Sequence, residues 1–225
     1  MLPHLHVRSW FSFQRGGSSP ADLAERAAEL GIPALALTDW HGVYGAVRFQ
    51  KACREAGVKP IIGAEVDVVT RAEIGDEAAS GAAGKGAAAG APLVLLAASR
   101  TGYTHLCRIL TEAHLRDRDA PLATLGELSE YGGDLFCLTG TTGSRLWSLV
   151  DDGRPEAAAQ WVRRLERIFG DRLSLEIANH LTPGDKARMR KLERLSERTG
   201  VPLAATGDVR YARRRDQPRY DLLTC

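Results

Sequence analysis

The chain has 225 residues, and its 30 basic against 28 acidic side chains leave a net charge of +2. That length suits one large α/β domain or two small ones and buries a sizeable core without disulfides or metal, while so small a charge gives no ground for nucleic acid or membrane as a partner. No stretch approaches 18 apolar residues free of charge, and "MLPHLHVRSWF" lacks the basic start and apolar core of a signal peptide, so neither a membrane span nor a visible secretion signal is expected. Cys53, Cys107, Cys137 and Cys225 are widely spaced with no CxxC pair, which points to a reduced, cytoplasmic protein.

The first strand is expected at about 3–8 (HLHV). Ser19 as N-cap and Pro20 at the first helical position open a helix over 20–30, with Leu23, Ala24, Ala27, Ala28 and Leu30 on one side, and Gly31 stops it. A strand at 33–38, a helix at 45–56 ended by Gly57, and a long strand at 59–69 follow. "RAEIGDEAASGAAGKGAAAGAP" then interrupts the pattern. Its Ala and Gly have too little apolar surface to repay ordering, so a flexible insertion is expected at about 71–91. Beyond it come a strand at 92–98, a helix at 102–116, a strand at 134–139, a helix at 155–169 ended by Gly170, a strand at 173–178, a helix at 183–199 ended by Gly200, and a strand at 202–206.

Seven strands alternating with helices imply a parallel sheet with right-handed crossovers, closed or nearly closed into a TIM-like barrel. Functional residues of such barrels gather where strands end. His6, Arg8, Asp39, His41, Glu65, Thr141, Asn179, His180, Asp208 and Arg210 fall at those places. Other features have plainer readings. "GTTGS" (140–144) lacks a P-loop lysine and reads as a strand-to-helix turn, "ARRRDQPR" (212–219) as a solvated loop or a contact with a following domain, and Tyr103, Leu106, Cys107 and Leu110 as helix core.

"HLH" at 4–6, "ALTD" at 36–39, "IIGAEV" at 61–66 and "TGDVRY" at 206–211, in this order at strand ends, resemble the PHP (polymerase and histidinol phosphatase) domain, in the form found in bacterial DNA polymerase III alpha subunits. "GAVRFQKACREAGVKPIIGAEV", "LVLLAASRTGYTHLCRILTEAHL" and "IFGDRLSLEIANH" extend the likeness over nearly the whole chain, 1–225. "SWFSFQRGGSSPADLAERAAELG" and "DWHGVYGAVRF" are more similar to the error-prone, DnaE-type branch. The resemblance implies a distorted seven-stranded (β/α) barrel. In active members it also implies a trinuclear zinc, manganese or iron cluster that hydrolyses phosphoesters.

Against that pattern this chain departs at most ligand positions. The H-x-H motif reads His6-Val7-Arg8, T-D-H-G reads Thr38-Asp39-Trp40-His41, and D-x-H reads Asp208-Val209-Arg210. The acid after the first motif corresponds to Arg15, the histidine before "LVLLA" to Pro92, and the cysteine of the family's SGC to Thr141. Ligand-type side chains remain at His6, Glu65 and Asp208, with His180 as a fourth candidate.

The resulting expectation is a degenerate PHP domain without a cofactor, its vestigial site formed by His6, Arg8, Asp39, Trp40, Glu65, Thr141, Asp208 and Arg210. Arg8 and Arg210 would stand in for the metals by pairing with Glu65 and Asp208. The parent family is a DNA-directed polymerase, a nucleotidyltransferase acting in replication and translesion repair. The chain stops at "YDLLTC", where alpha-subunit sequence runs on, so no polymerase active site is expected within it. Its role would be structural and partner-binding, towards a downstream polymerase core and other polymerase subunits, with DNA touched indirectly. The alternative is a metal-dependent phosphoesterase with a reduced zinc or manganese site built from His6, His41, Glu65, His180 and Asp208.

Overall fold

Short apolar runs alternating with amphipathic helices set the architecture of the computed structural model, which describes residues 2–69 and 90–224. In chain order the elements are α1 (Pro20–Glu29), β1 (Ala34–Trp40), α2 (Ala46–Glu55), β2 (Lys59–Val69), β3 (Ala91–Ala97), α3 (Arg100–Arg116), β4 (Ala123–Thr124) and α4 (Leu125–Tyr131). They continue with β5 (Leu135–Leu138), α5 (Arg145–Asp151), α6 (Pro155–Phe169), β6 (Leu173–Ile177), α7 (Asp185–Thr199), β7 (Leu203–Ala205) and α8 (Gln217–Thr224). The start of α1 follows its sequence signature. Ser19 accepts from the Asp22 amide at 3.0 Å and Asp22 accepts from the Ser19 amide at 3.1 Å, closing a reciprocal cap.

The strands form one curled, mixed sheet in the order β1-β2-β3-β5-β6-β7, with β4 paired to β2. The expected all-parallel sheet is corrected at β3, which runs antiparallel to both β2 and β5. Ala91 pairs with Val68, so β3 begins beside the end of β2 and the chain turns back along it instead of crossing over. β3 therefore starts inside the expected insertion, of which residues 71–89 lie outside the described residues.

A second correction concerns the N-terminus. Residues 3–8 form no strand but make two isolated bridges, His4 to Leu35 and Val7 to Val209. Their backbone bonds go to both sides of the seam: Thr38 N–H to Val7 C=O at 2.8 Å, Arg8 N–H to Val209 C=O at 2.9 Å, Val209 N–H to His6 C=O at 3.0 Å. The Thr38 hydroxyl accepts from the Val7 amide at 2.9 Å, so a side chain interrupts the ladder that a strand would need. The seventh strand is the short β4, and α4, α5 and α8 are further elements without an expected counterpart.

Alternation along the strands separates two kinds of interior. Leu35 and Leu37 of β1 pack with Leu23, Phe49 and Cys53 beneath α1 and α2, while Ala36 turns inward to meet Val94, Leu96 and Leu138. A larger layer beneath α3 to α7 holds Leu106, Ile109, Leu146, Leu165, Phe169 and Leu175. Each such large side chain, fully buried, contributes about 1.5–3 kcal/mol. Among the described residues no helix is long and apolar enough to cross a membrane.

Gly102, in the first turn of α3, lies against the Asp134 carbonyl. A Cβ there would sit 2.1 Å from that oxygen. Gly102→Ala should therefore lower stability by about 1–3 kcal/mol in urea unfolding, overriding the roughly 1 kcal/mol by which alanine favours a helix. A stabilised variant would show that α3 can shift freely.

Candidate functional site

The two-residue period that buries Val7 outward beneath α1 sends His6 and Arg8 inward. The same alternation places Glu65 between Ala64 and Val66 on β2, and Glu176 between Leu175 and Ile177 on β6, so that both acids enter the barrel mouth. Asp208 reaches the same point from the bridge segment after β7, with its backbone at φ +42°. His6, Arg8, Glu65, Glu176 and Asp208 are all buried.

His6 uses both ring nitrogens. Nδ1 lies 2.7 Å from Glu176 Oε1 and Nε2 lies 2.9 Å from Glu65 Oε2. Arg8 donates Nε to Glu65 Oε2 at 2.8 Å, Nη2 to the same oxygen, and Nη1 to Asp208 Oδ1 at 2.5 Å. Asp208 Oδ2 accepts from Thr141 Oγ1 at 2.9 Å and from Arg210 Nη2 at 3.2 Å, and Arg210 Nη1 donates to the Tyr220 hydroxyl at 2.9 Å. Thr206 Oγ1 donates to Glu176 Oε1 at 2.5 Å. Glu176 Oε2 is buried and has no partner among the described residues.

The charges in this cluster alternate in sign. Burial opposes ionisation of His6, but the attraction of Glu176 and the bonds to both glutamates outweigh it and raise its pKa to about 10. Burial likewise opposes ionisation of Glu65, yet Arg8 and His6 hold its pKa down at about 2. Asp208 is lowered by Arg8, His6 and Arg210 against the same desolvation. The imidazolium and two guanidinium groups thus face three carboxylates.

Other expected site residues stand apart from this cluster. Asp39 is buried and accepts from the Ser9 amide at 2.7 Å and Ser12 Oγ at 2.6 Å; burial raises its pKa. Trp40 donates its indole N–H to Asp67 at 2.9 Å, and the Arg15 guanidinium lies 4.2 Å from its ring. His41 adopts φ +48°, which swings its ring to within 3.2 Å of Asp67 Oδ2 and away from His6. His180 Nε2 is 3.9 Å from Asp208 Oδ2, beyond hydrogen-bond reach, and Asn179 caps a local turn through Leu181 N–H at 3.0 Å. "GTTGS" is the turn from β5 into α5, with Ser144 as N-cap.

Glu176 is the member that the sequence reading missed. An acid between apolar residues on a strand, in phase with the inward-facing positions, was the signal available. A cavity of about 650 Å³ opens above the cluster, and Arg8, Arg15, Trp40, Glu65, Arg210 and Tyr220 are among the residues lining it.

Fold and site together define a β/α barrel whose mouth gathers imidazole, carboxylate and guanidinium groups. The PHP domain family matches residues 4–180, and the chain belongs to that family. It is 37% identical over 99% of its length to an error-prone DNA polymerase of Symbiobacterium thermophilum, and 38% identical over 92% to one of Mycolicibacterium paratuberculosis. It spans about a fifth of each, 20% and 19%. The fold is also that of an amidohydrolase from Chromobacterium violaceum, with a TM-score of 0.60 and 15% identity over 93% of this chain and 87% of the other.

Proposed function

We propose that this domain is a catalytically degenerate PHP barrel that serves as a structural, partner-binding part of an error-prone DNA polymerase. The observation that carries this reading is Arg8, whose buried guanidinium bonds Glu65 and Asp208 at the centre of the mouth. A metal centre does not fit the residues present. Each ion needs three or four deprotonated donors, whereas both nitrogens of His6 are committed to carboxylates and, among the described residues of the cluster, Glu176 Oε2 is the one buried oxygen without a partner. A buried guanidinium among those donors would also repel added cations. His41, which the phosphoesterase alternative requires, is turned to Asp67.

The partner-binding role draws support from two sides. The relatives are about five times longer than this chain, and their remaining sequence supplies a polymerase core for the barrel to adjoin. Exposed Trp10 and Phe13 lie on the segment that meets α8 through Gly17 and Tyr220, and α8 exposes Leu222 and Leu223. Apolar groups grouped in this way suit a protein contact.

Metal analysis of protein purified without chelator, together with a phosphodiester hydrolysis assay, tests the reading. Substoichiometric metal and no hydrolysis above background are expected, in wild type and in Arg8→His alike. Stoichiometric zinc or manganese, with hydrolysis abolished in Asp208→Ala, would overturn it.

A further inference from the structure

We infer that the outer face of α5 and α6 binds the sugar-phosphate backbone of duplex DNA. This rests on the reading of the chain as part of a DNA polymerase, but it uses none of the residues of the barrel mouth. A shallow cavity of about 630 Å³ is lined there by Arg145, Arg154, Arg163, Arg164 and Arg167, with Trp161 among the apolar lining and no acidic residue.

Several arginines elsewhere are matched by acids: Arg188 with Asp151 and Asp185, Arg198 with Glu156, Arg213 with Glu25 and Glu29. Among the described residues Arg154, Arg163, Arg164 and Arg167 make no ion pair, and all four are exposed. Arg163 and Arg167 are one turn apart on the helix, so like charges adjoin, and Glu156, which Arg163 also attracts, is bonded to Arg198. The chain's net charge is small, but this face concentrates positive charge.

Trp161 belongs to the apolar part of the lining. Its ring is buried, the Arg145 guanidinium lies 5.0 Å from it, and its indole N–H has no acceptor among the described residues. Arginine forks match phosphate oxygens.

From Arg154 to Arg167 the helix rises about 20 Å, a length over which one strand of duplex DNA carries about six phosphates. The lining has no exposed aromatic ring on which a splayed base could stack, which favours a duplex backbone over a single strand. An acidic protein segment is the competing polyanion.

Fluorescence anisotropy of a labelled duplex of about 20 base pairs, titrated with the 225-residue chain across a salt series, tests the assignment. Binding should weaken steeply with salt. Arg163→Ala/Arg164→Ala/Arg167→Ala should weaken it at least tenfold at low salt and flatten the slope of log K against log salt by about 2.7, or 0.9 per lost phosphate contact. Arg214→Ala/Arg215→Ala, on the other basic run, should leave both unchanged. Matching thermal melts establish that each variant is folded.

No duplex binding by wild type, an unchanged triple variant, or an equal loss in the Arg214/Arg215 variant would overturn the proposal. So would tighter binding of a poly-glutamate peptide of equal charge. Because metal content is not a readout here, failure would leave the reading of the barrel mouth intact, and metal found at the mouth would leave this face unaffected.

Discussion

Arg8→Ala should lower the free energy of unfolding by about 3–5 kcal/mol. The guanidinium is almost entirely buried and bonds Glu65 through Nε and Nη2 and Asp208 through Nη1. Truncation strands two buried carboxylates with His6, Thr141 and Arg210 to answer them and Arg15 at 3.9 Å from Glu65, and the penalty for an uncompensated buried charge exceeds the net value of the intact pair. Arg8→Lys should recover only part of the loss, since a compact ammonium cannot present three donors in one plane to two acids. Asp208→Asn combined with Arg8→Ala should cost less than the two single changes added together, because they remove partners of one network. Urea unfolding of the wild type and the four variants measures all of this. A loss under about 1 kcal/mol for Arg8→Ala would mean that water fills the mouth and solvates the acids.

The stability of the wild type should also fall between pH 6.5 and about 10, and His6→Gln should remove most of that fall. The folded chain raises the His6 pKa from 6.5 to about 10. Below pH 6.5 both states hold the proton and the full stabilisation is present. Above it the unfolded chain releases the proton while the folded chain keeps it, so stability drops by up to about 1.4 kcal/mol per unit until the folded value is passed. The upper limit over that window is about 4–5 kcal/mol. On the acid side the sign reverses. The depressed Glu65 contributes stability that is present above pH 4.5 and lost as pH falls towards about 2. Chemical unfolding at a series of pH values tests both arms, and a flat profile from pH 6.5 to 10 would contradict a protonated His6.

How far the sequence carried the site depended on the kind of signal. Ser19-Pro20 and the period of Leu23, Ala24 and Ala27 set α1 because capping and helical periodicity are local. The long apolar run ending in Val69 gave β2 to the residue. Strand direction was not legible: nothing within Ala91–Ala97 records that its neighbours run the other way, since that depends on where the preceding segment delivers the chain. The segment at 3–8 has a strand's alternation, yet the Thr38 hydroxyl takes the place of a backbone partner, and a hydroxyl 31 residues away leaves no local trace.

At the mouth, Arg8, Glu65, Thr141, Asp208 and Arg210 were found because motif positions and strand ends marked them. Glu176 was passed over because, unlike Glu65, it lies on a strand with no motif position to mark it. His41 was legible as a departure from phase, but the left-handed backbone that turns it to Asp67 was not.

The seam between the N-terminal segment and Val209 also sets an order of assembly. Arg8 and Asp208 are 200 residues apart, and both the Val7–Val209 bridge and the guanidinium contact to Asp208 wait for the segment after β7 to be made. Contacts so distant in sequence bear the largest loop-closure cost and form late. During synthesis the helices beneath α3 to α6 can pack first, while His6, Arg8 and Glu65 stay hydrated. The arrival of the segment after β7 then brings Asp208 to Arg8 and closes the seam in one step, so that the cluster works as a latch that closes only on a finished barrel.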